Sequence, residues 1–233
     1  MKHRDRRPQC HSVGPVGCRS CDLHDICRLG GWIAFDTGRS RQSTGALRTV
    51  PAGTHLYRAG DPAHMLYAVR QGMLKTVLVG TEGDEQILAL NIPGEVLGLE
   101  AFGSGVYGAD VIALQPVVCC ELPLRVVREQ GVRVDQFDSV LVQLLSRAAA
   151  PKPSPARGAI RNRVTRFLLD LGSRLASRGL ESRDFALGLS REEIADMLDT
   201  RVETVSRVLQ RMKRAQEIDV RGGRVGLRSL ASP

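Results

Sequence analysis

Cys18, Cys21 and Cys27 stand in the spacing C-x2-C-x5-C. Two thiols separated by two residues can turn toward one ion or cluster, because a short loop puts both sulfurs on its concave side. The third follows a loop long enough to fold back. The run from Gly17 to Cys27 is polar, so it is expected to be ordered by a metal rather than by burial. His11 and His24 could complete a tetrahedral zinc site, and the spacing alone leaves zinc and iron–sulfur both open. Cys10 lies eight residues before Cys18 and reads as a bystander. Cys119 and Cys120 are neighbours in an apolar strand. They point to opposite faces, so at most one can face a metal, and core packing is the plain role for either.

A second constellation lies near the C-terminus. Ser190-Arg191-Glu192-Glu193 reads as a capping box opening a helix through Leu198. Asp199-Thr200 is a turn in which Asp199 takes positive φ. Thr200-Arg201-Val202-Glu203 reads as a second capping box, opening a helix to about Arg214. Two helices joined so tightly form a helix-turn-helix, and Arg221-Gly222-Gly223-Arg224-Val225 reads as the hairpin of a wing. Val205, Val208 and Leu209 face inward, leaving Val202, Glu203, Ser206 and Arg207 on the exposed early turns. A recognition helix presents those turns to the major groove, where Arg reads guanine and Glu accepts from the cytosine amino group. Arg211, Lys213 and Arg214 fall nearer the phosphates. An ordinary α-hairpin with a solvated charged face would look similar, and the charge distribution weighs against it. Of the net +8, residues 1–30 hold +3, residues 31–149 hold −2 and residues 150–233 hold +7. The excess lies where double-stranded DNA would bind.

The elements between these constellations must position them. Apolar runs at 65–69, 73–79, 85–90, 111–114 and 117–122, separated by turns such as Gly83-Asp84 and Pro93-Gly94-Glu95, predict short strands of an antiparallel sandwich or roll. Helices are expected over 124–130 and 135–150. The second carries Val140, Leu141, Leu144, Leu145 and Ala148 on one stripe. Pro151, Pro153 and Pro155 interrupt it. A further helix from about Ala156 aligns Ile160, Val164, Phe167, Leu168, Leu171 and Leu175. The fold class is α+β. The expected division is a cysteine-rich segment and connector at 1–46, a β-roll at 47–133, a linking helix at 134–156 and a winged helix-turn-helix at 157–233. No run reaches the ~18 apolar residues of a membrane span, and no apolar signal core follows the basic N-terminus. The expected location is the cytoplasm, where six cysteines favour metal, redox or core roles over disulfides. Neither a phosphate-binding glycine loop nor a Ser/His/Asp or Cys/His arrangement argues for an enzyme.

Taken together, the motifs resemble the CRP/FNR regulators, and among them the FNR-type oxygen sensors. The resemblance rests on the cysteine spacing, Leu56-Tyr57-Arg58-Ala59-Gly60-Asp61, Gly83-Asp84-Glu85-Gln86-Ile87, Gly94-Glu95-Val96-Leu97-Gly98 with Gly103-Ser104-Gly105, Cys120-Glu121-Leu122-Pro123 and Val202-Glu203-Thr204-Val205-Ser206-Arg207. It implies a cyclic-nucleotide-binding-like (cupin-like) roll as sensor and an oxygen-labile [4Fe–4S] cluster held by Cys18, Cys21, Cys27 and Cys120. It also implies a homodimer on an inverted-repeat operator, with RNA polymerase as a protein partner. The alternative is an effector-binding regulator with structural or zinc-binding cysteines. Cyclic nucleotide is discounted, because the stretch Val106-Tyr107-Gly108-Ala109-Asp110-Val111 offers no Arg and Asp110 would repel an anion. The prolines depart from the family's continuous dimer helix, which implies altered coupling or a more loosely hung DNA-binding domain.

Overall fold

Short apolar runs separated by turns build the N-terminal half as eight strands. A computed structural model describes residues 18–29, 46–80, 83–131, 142 and 159–229. The strands are β1 (Ala46–Val50), β2 (His55–Tyr57), β3 (Met65–Gln71), β4 (Leu74–Val79), β5 (Glu85–Asn91), β6 (Val96–Leu97), β7 (Asp110–Ala113) and β8 (Val117–Pro123). They form two antiparallel sheets, ordered β1-β8-β3-β6 and β2-β7-β4-β5. Leu56, Leu74 and Val111 from one sheet share a core with Val69, Val117 and Cys119 from the other. This is the roll that the short apolar runs predict.

Ahead of the strands, Cys18–Ser20 forms a 3-10 turn, and α1 spans His24–Leu29. Here the structure corrects the expectation that burial plays no part. Leu23 is 2% exposed and Ile26 0%, both within the roll's core cluster. A six-residue helix cannot bury a core of its own. Two apolar residues three apart can still occupy a surface that the roll already provides. Two short helices, α2 (Ala101–Ser104) and α3 (Leu124–Gly131), complete this half, and Leu124 and Val127 of α3 join the same cluster.

The C-terminal half contains α4 (Ile160–Ser177), α5 (Arg191–Met197) and α6 (Val202–Arg214), with β9 (Asp184–Ala186), β10 (Ile218–Arg221) and β11 (Arg224–Leu227). Val164, Leu168, Leu171 and Leu175 of α4 are buried as the stripe requires. The wing hairpin turns through Gly222 and Gly223 at φ 54° and 78°, the left-handed pair of a tight two-residue turn. The sheet gains a third strand, β9, which was too short to read from sequence. Asp199 has φ 45°, as expected of the helix-turn-helix turn.

The first capping box forms: Ser190 Oγ accepts from the Glu193 amide, and the Glu193 carboxylate accepts from the Ser190 amide. The second does not. The Thr200 amide is used in closing α5 onto the Ala195 carbonyl, so the cap of α6 falls on Arg201, with no side-chain bond, and Thr-x-x-Glu is one residue out of register. Ser190→Ala is therefore expected to lower stability by about 1 kcal/mol and Thr200→Ala by much less, checked by thermal unfolding of both variants.

The halves are joined by more than the chain. Met73, Leu90 and Ile92 of the roll lie in one apolar cluster with α4, α5 and α6. Lys75 pairs with Glu193 at 2.7 Å, and Asp196 accepts from the Ile87 amide at 2.8 Å. This corrects the expectation of a loosely hung DNA-binding half, since the interface itself buries apolar surface. Val140, Leu141, Leu144, Leu145 and Ala148, the three prolines, Cys10 and His11 lie outside the described residues.

Candidate functional site

Strand alternation sorts the vicinal cysteines. Cys119 lies with Val117 on the inner face and is 0% exposed. Burial pushes its thiol up to about 12. Cys120 lies on the other face with Leu122, opposite Ala68 of β3 and Leu47 of β1, and is partly buried. Leu66, Ala68 and Leu122 of that face are buried in the cluster that takes in Leu23 and Ile26, and Cys21, Cys27 and Cys120 pack at its edge.

The cysteine loop is pinned by polar contacts as well. The Asp22 amide donates to the Gly94 carbonyl at 2.8 Å. His24 Nδ1 lies 3.1 Å from the Cys18 carbonyl. Arg70 falls at a register shift between β3 and β8, and such bulges re-aim side chains. Its guanidinium donates to Cys18 Sγ at 3.6 Å. Burial, the largest influence, pushes the Cys21 thiol up to about 11; the Leu23 backbone hydrogen bond and Arg70 oppose it, and Asp22 and Cys18 add to it. Among the described residues, no three of His, Cys, Asp and Glu stand close enough to hold a metal ion.

The stretch 106–111 is filled by the protein itself. Tyr107 stacks on Tyr57 with centroids 3.8 Å apart and donates to the Met65 carbonyl at 2.8 Å. Burial raises both phenols well above their ordinary pKa. Asp110 pairs with His55 at 3.1 Å and accepts from the Ala59 amide at 2.8 Å.

On α6, Val205, Val208, Leu209 and Met212 are buried, leaving Glu203, Arg207, Arg211, Lys213 and Arg214 exposed and Ser206 partly so. Val202 differs from expectation: it packs against the domain core, because the helix starts there and its first turn leans on α5. Lys213 Nζ donates to the Val220 carbonyl at 3.2 Å, tying the helix to the wing. Arg201 is exposed at the helix N-cap and was not singled out from sequence, although a cation beside the first turn is a visible signal. Arg70, Arg174 and Arg178 were also missed. Their partners are remote in sequence, and no local pattern marks them.

No helix among the described residues is long and apolar enough to cross a membrane. Residues 47–130 match the cyclic nucleotide-binding domain family, and residues 162–232 match the Crp-like helix-turn-helix domain family. The transcriptional activator protein Anr of Pseudomonas aeruginosa is 30% identical over 222 residues, covering 94% of this chain and 88% of that protein. The fumarate and nitrate reduction regulatory protein of Escherichia coli is 26% identical over 211 residues, covering 89% and 84%. These relatives are regulators by name, not enzymes. The solved structure of FixK2 from Bradyrhizobium japonicum shares the fold at TM-score 0.69 and 24% identity, covering 80% of this chain and 93% of that one. A roll followed by a winged helix-turn-helix, with similarity to Anr across nearly its whole length, makes this chain a member of the CRP/FNR family of DNA-binding transcription regulators.

Proposed function

We propose that the chain is an oxygen-responsive regulator in which Cys18, Cys21, Cys27 and Cys120 hold a [4Fe–4S] cluster. The observation that carries this reading is the seating of the cysteine loop: Leu23 and Ile26 enter the core cluster whose edge holds Cys120. The donor set fits. Four soft thiolates suit an iron–sulfur cluster, and the Arg70 guanidinium beside Cys18 offsets part of their charge. When bound, such a cluster supplies lability to oxygen. The chain's own residues do the rest: Leu23 and Ile26 seat the loop, and the Asp22 amide fixes it to Gly94.

On the DNA side, Glu203, Ser206 and Arg207 read bases with Val202 beside them, while Arg211, Lys213 and Arg214 serve the phosphates. The stripe Val140, Leu141, Leu144, Leu145 and Ala148 supplies a homodimer seam for an inverted-repeat operator. RNA polymerase is the protein partner of such a regulator, and the cytoplasm its compartment. The filled stretch around Tyr57 and Tyr107, with Asp110 near it, favours this reading over a nucleotide effector. Protein purified without oxygen is expected to be brown, to contain iron and sulfide, and to bleach in air. A colourless protein carrying one zinc and no iron overturns the reading.

A further inference from the structure

Three parts of the chain meet around Gly94. One is the cysteine loop, another the β5–β6 turn of the roll, and the third the C-terminal end of α4 in the DNA-binding half. Arg174 and Arg178 stand four residues apart, on one face of the helix end. Arg174 holds the Glu95 carboxylate through both oxygens, with Nη2 at 2.8 Å from each, and also donates to the Leu90 carbonyl at 2.7 Å. Arg178 reaches past the roll to the cysteine loop. Its Nη1 donates to the Ser20 carbonyl at 2.9 Å and its Nη2 to Asp22 Oδ1 at 2.7 Å. The fit at Gly94 leaves no slack: with φ 97°, a Cβ there would stand 2.7 Å from the Ser20 oxygen and 2.9 Å from Cδ of Arg178. Both side chains of the Arg178–Asp22 pair are largely buried, so water screens it little.

We infer that Arg178 is a positioning strut that couples the cysteine loop directly to the DNA-binding domain of the same chain, alongside any path through the dimer helix. Both residues it grips, Ser20 and Asp22, lie between Cys18 and Cys27. Any rearrangement of that loop must move or break the grip, and α4 carries the consequence to α5 and α6 through their shared core. Coupling of this kind is reciprocal, so DNA occupancy must also be felt at the loop.

The inference rests on the cluster reading for its signal, but the strut itself can be tested without iron. In the cluster-free full chain, Arg178→Ala and Asp22→Asn are expected to speed amide hydrogen exchange across residues 18–29 by roughly tenfold. The exchange of the buried strand β8 should be unchanged, showing that the fold is intact. In protein reconstituted under anaerobic conditions, Arg178→Ala should match wild-type iron per chain. The ratio of affinities for a fixed duplex, cluster-loaded against air-exposed, should move toward one by about fivefold or more. Unchanged exchange overturns the strut. Faster exchange with an unchanged affinity ratio also overturns the coupling, leaving Arg178 only a stabilising contact. Wild-type protein without iron defeats the cluster reading instead, and the exchange measurement still decides the strut.

Discussion

Cys120→Ser is expected to reduce bound iron to background, while Cys119→Ser keeps wild-type iron and loses stability. The two cysteines are adjacent in sequence and opposite in environment. Cys119 is wholly enclosed by the inner core, where its thiol is held neutral and acts as a small apolar side chain. A hydroxyl there has no partner in the apolar cluster, so Cys119→Ser should cost about 1–3 kcal/mol. Cys120 is partly exposed on the opposite face of β8, packed against the cluster that Leu23 and Ile26 enter. Its replacement removes a soft ligand but leaves the core unaltered, with a stability change below about 1 kcal/mol. Iron and sulfide per chain, measured anaerobically, and thermal unfolding of the cluster-free variants separate the two effects. If Cys119→Ser lost the iron and Cys120→Ser kept it, the ligand assignment would be reversed. Equal loss in both would point to collapse of β8 and not to a ligand role.

Strand geometry alone forces vicinal residues to opposite faces, so at most one of the pair could face a metal, and the choice of Cys120 came from the family resemblance. The roll was legible because short apolar runs separated by turn residues repeat along it. The helix-turn-helix was legible through local chemistry: Ser190 with Glu193, positive φ at Asp199, and apolar residues at Val205, Val208 and Leu209. What escaped was set by partners distant in the chain. The burial of Leu23 and Ile26 escaped because the residues that cover them lie far downstream in the chain. The Arg178–Asp22 pair spans 156 positions and leaves no periodic trace. The failed box at Thr200 shows a different limit. A capping signature specifies spacing, whereas the amide that Thr200 commits to Ala195 decides where the helix begins.

The packing of α6 makes its outward face a clean test of base reading. Val205, Val208, Leu209 and Met212 hold the helix to the domain, so removing an exposed side chain should leave its position unchanged. Arg207 is exposed one turn past Glu203, on the side away from those anchors. Arg207→Ala is therefore expected to unfold like wild type, yet to lose ~1–3 kcal/mol of discrimination at one base pair of each half-site. Arg211→Ala, one turn further along, should weaken all duplexes alike and reduce the slope of log affinity against log salt by about one. The measurement is selection of preferred sites from random duplexes, followed by titration of chosen and scrambled sites at several salt concentrations. Relaxed preference at a single symmetric position identifies Arg207 as a reader. An equal loss on chosen and scrambled sites would make it a phosphate contact, moving the base contacts toward Glu203, Ser206 and the exposed Arg201 at the helix cap.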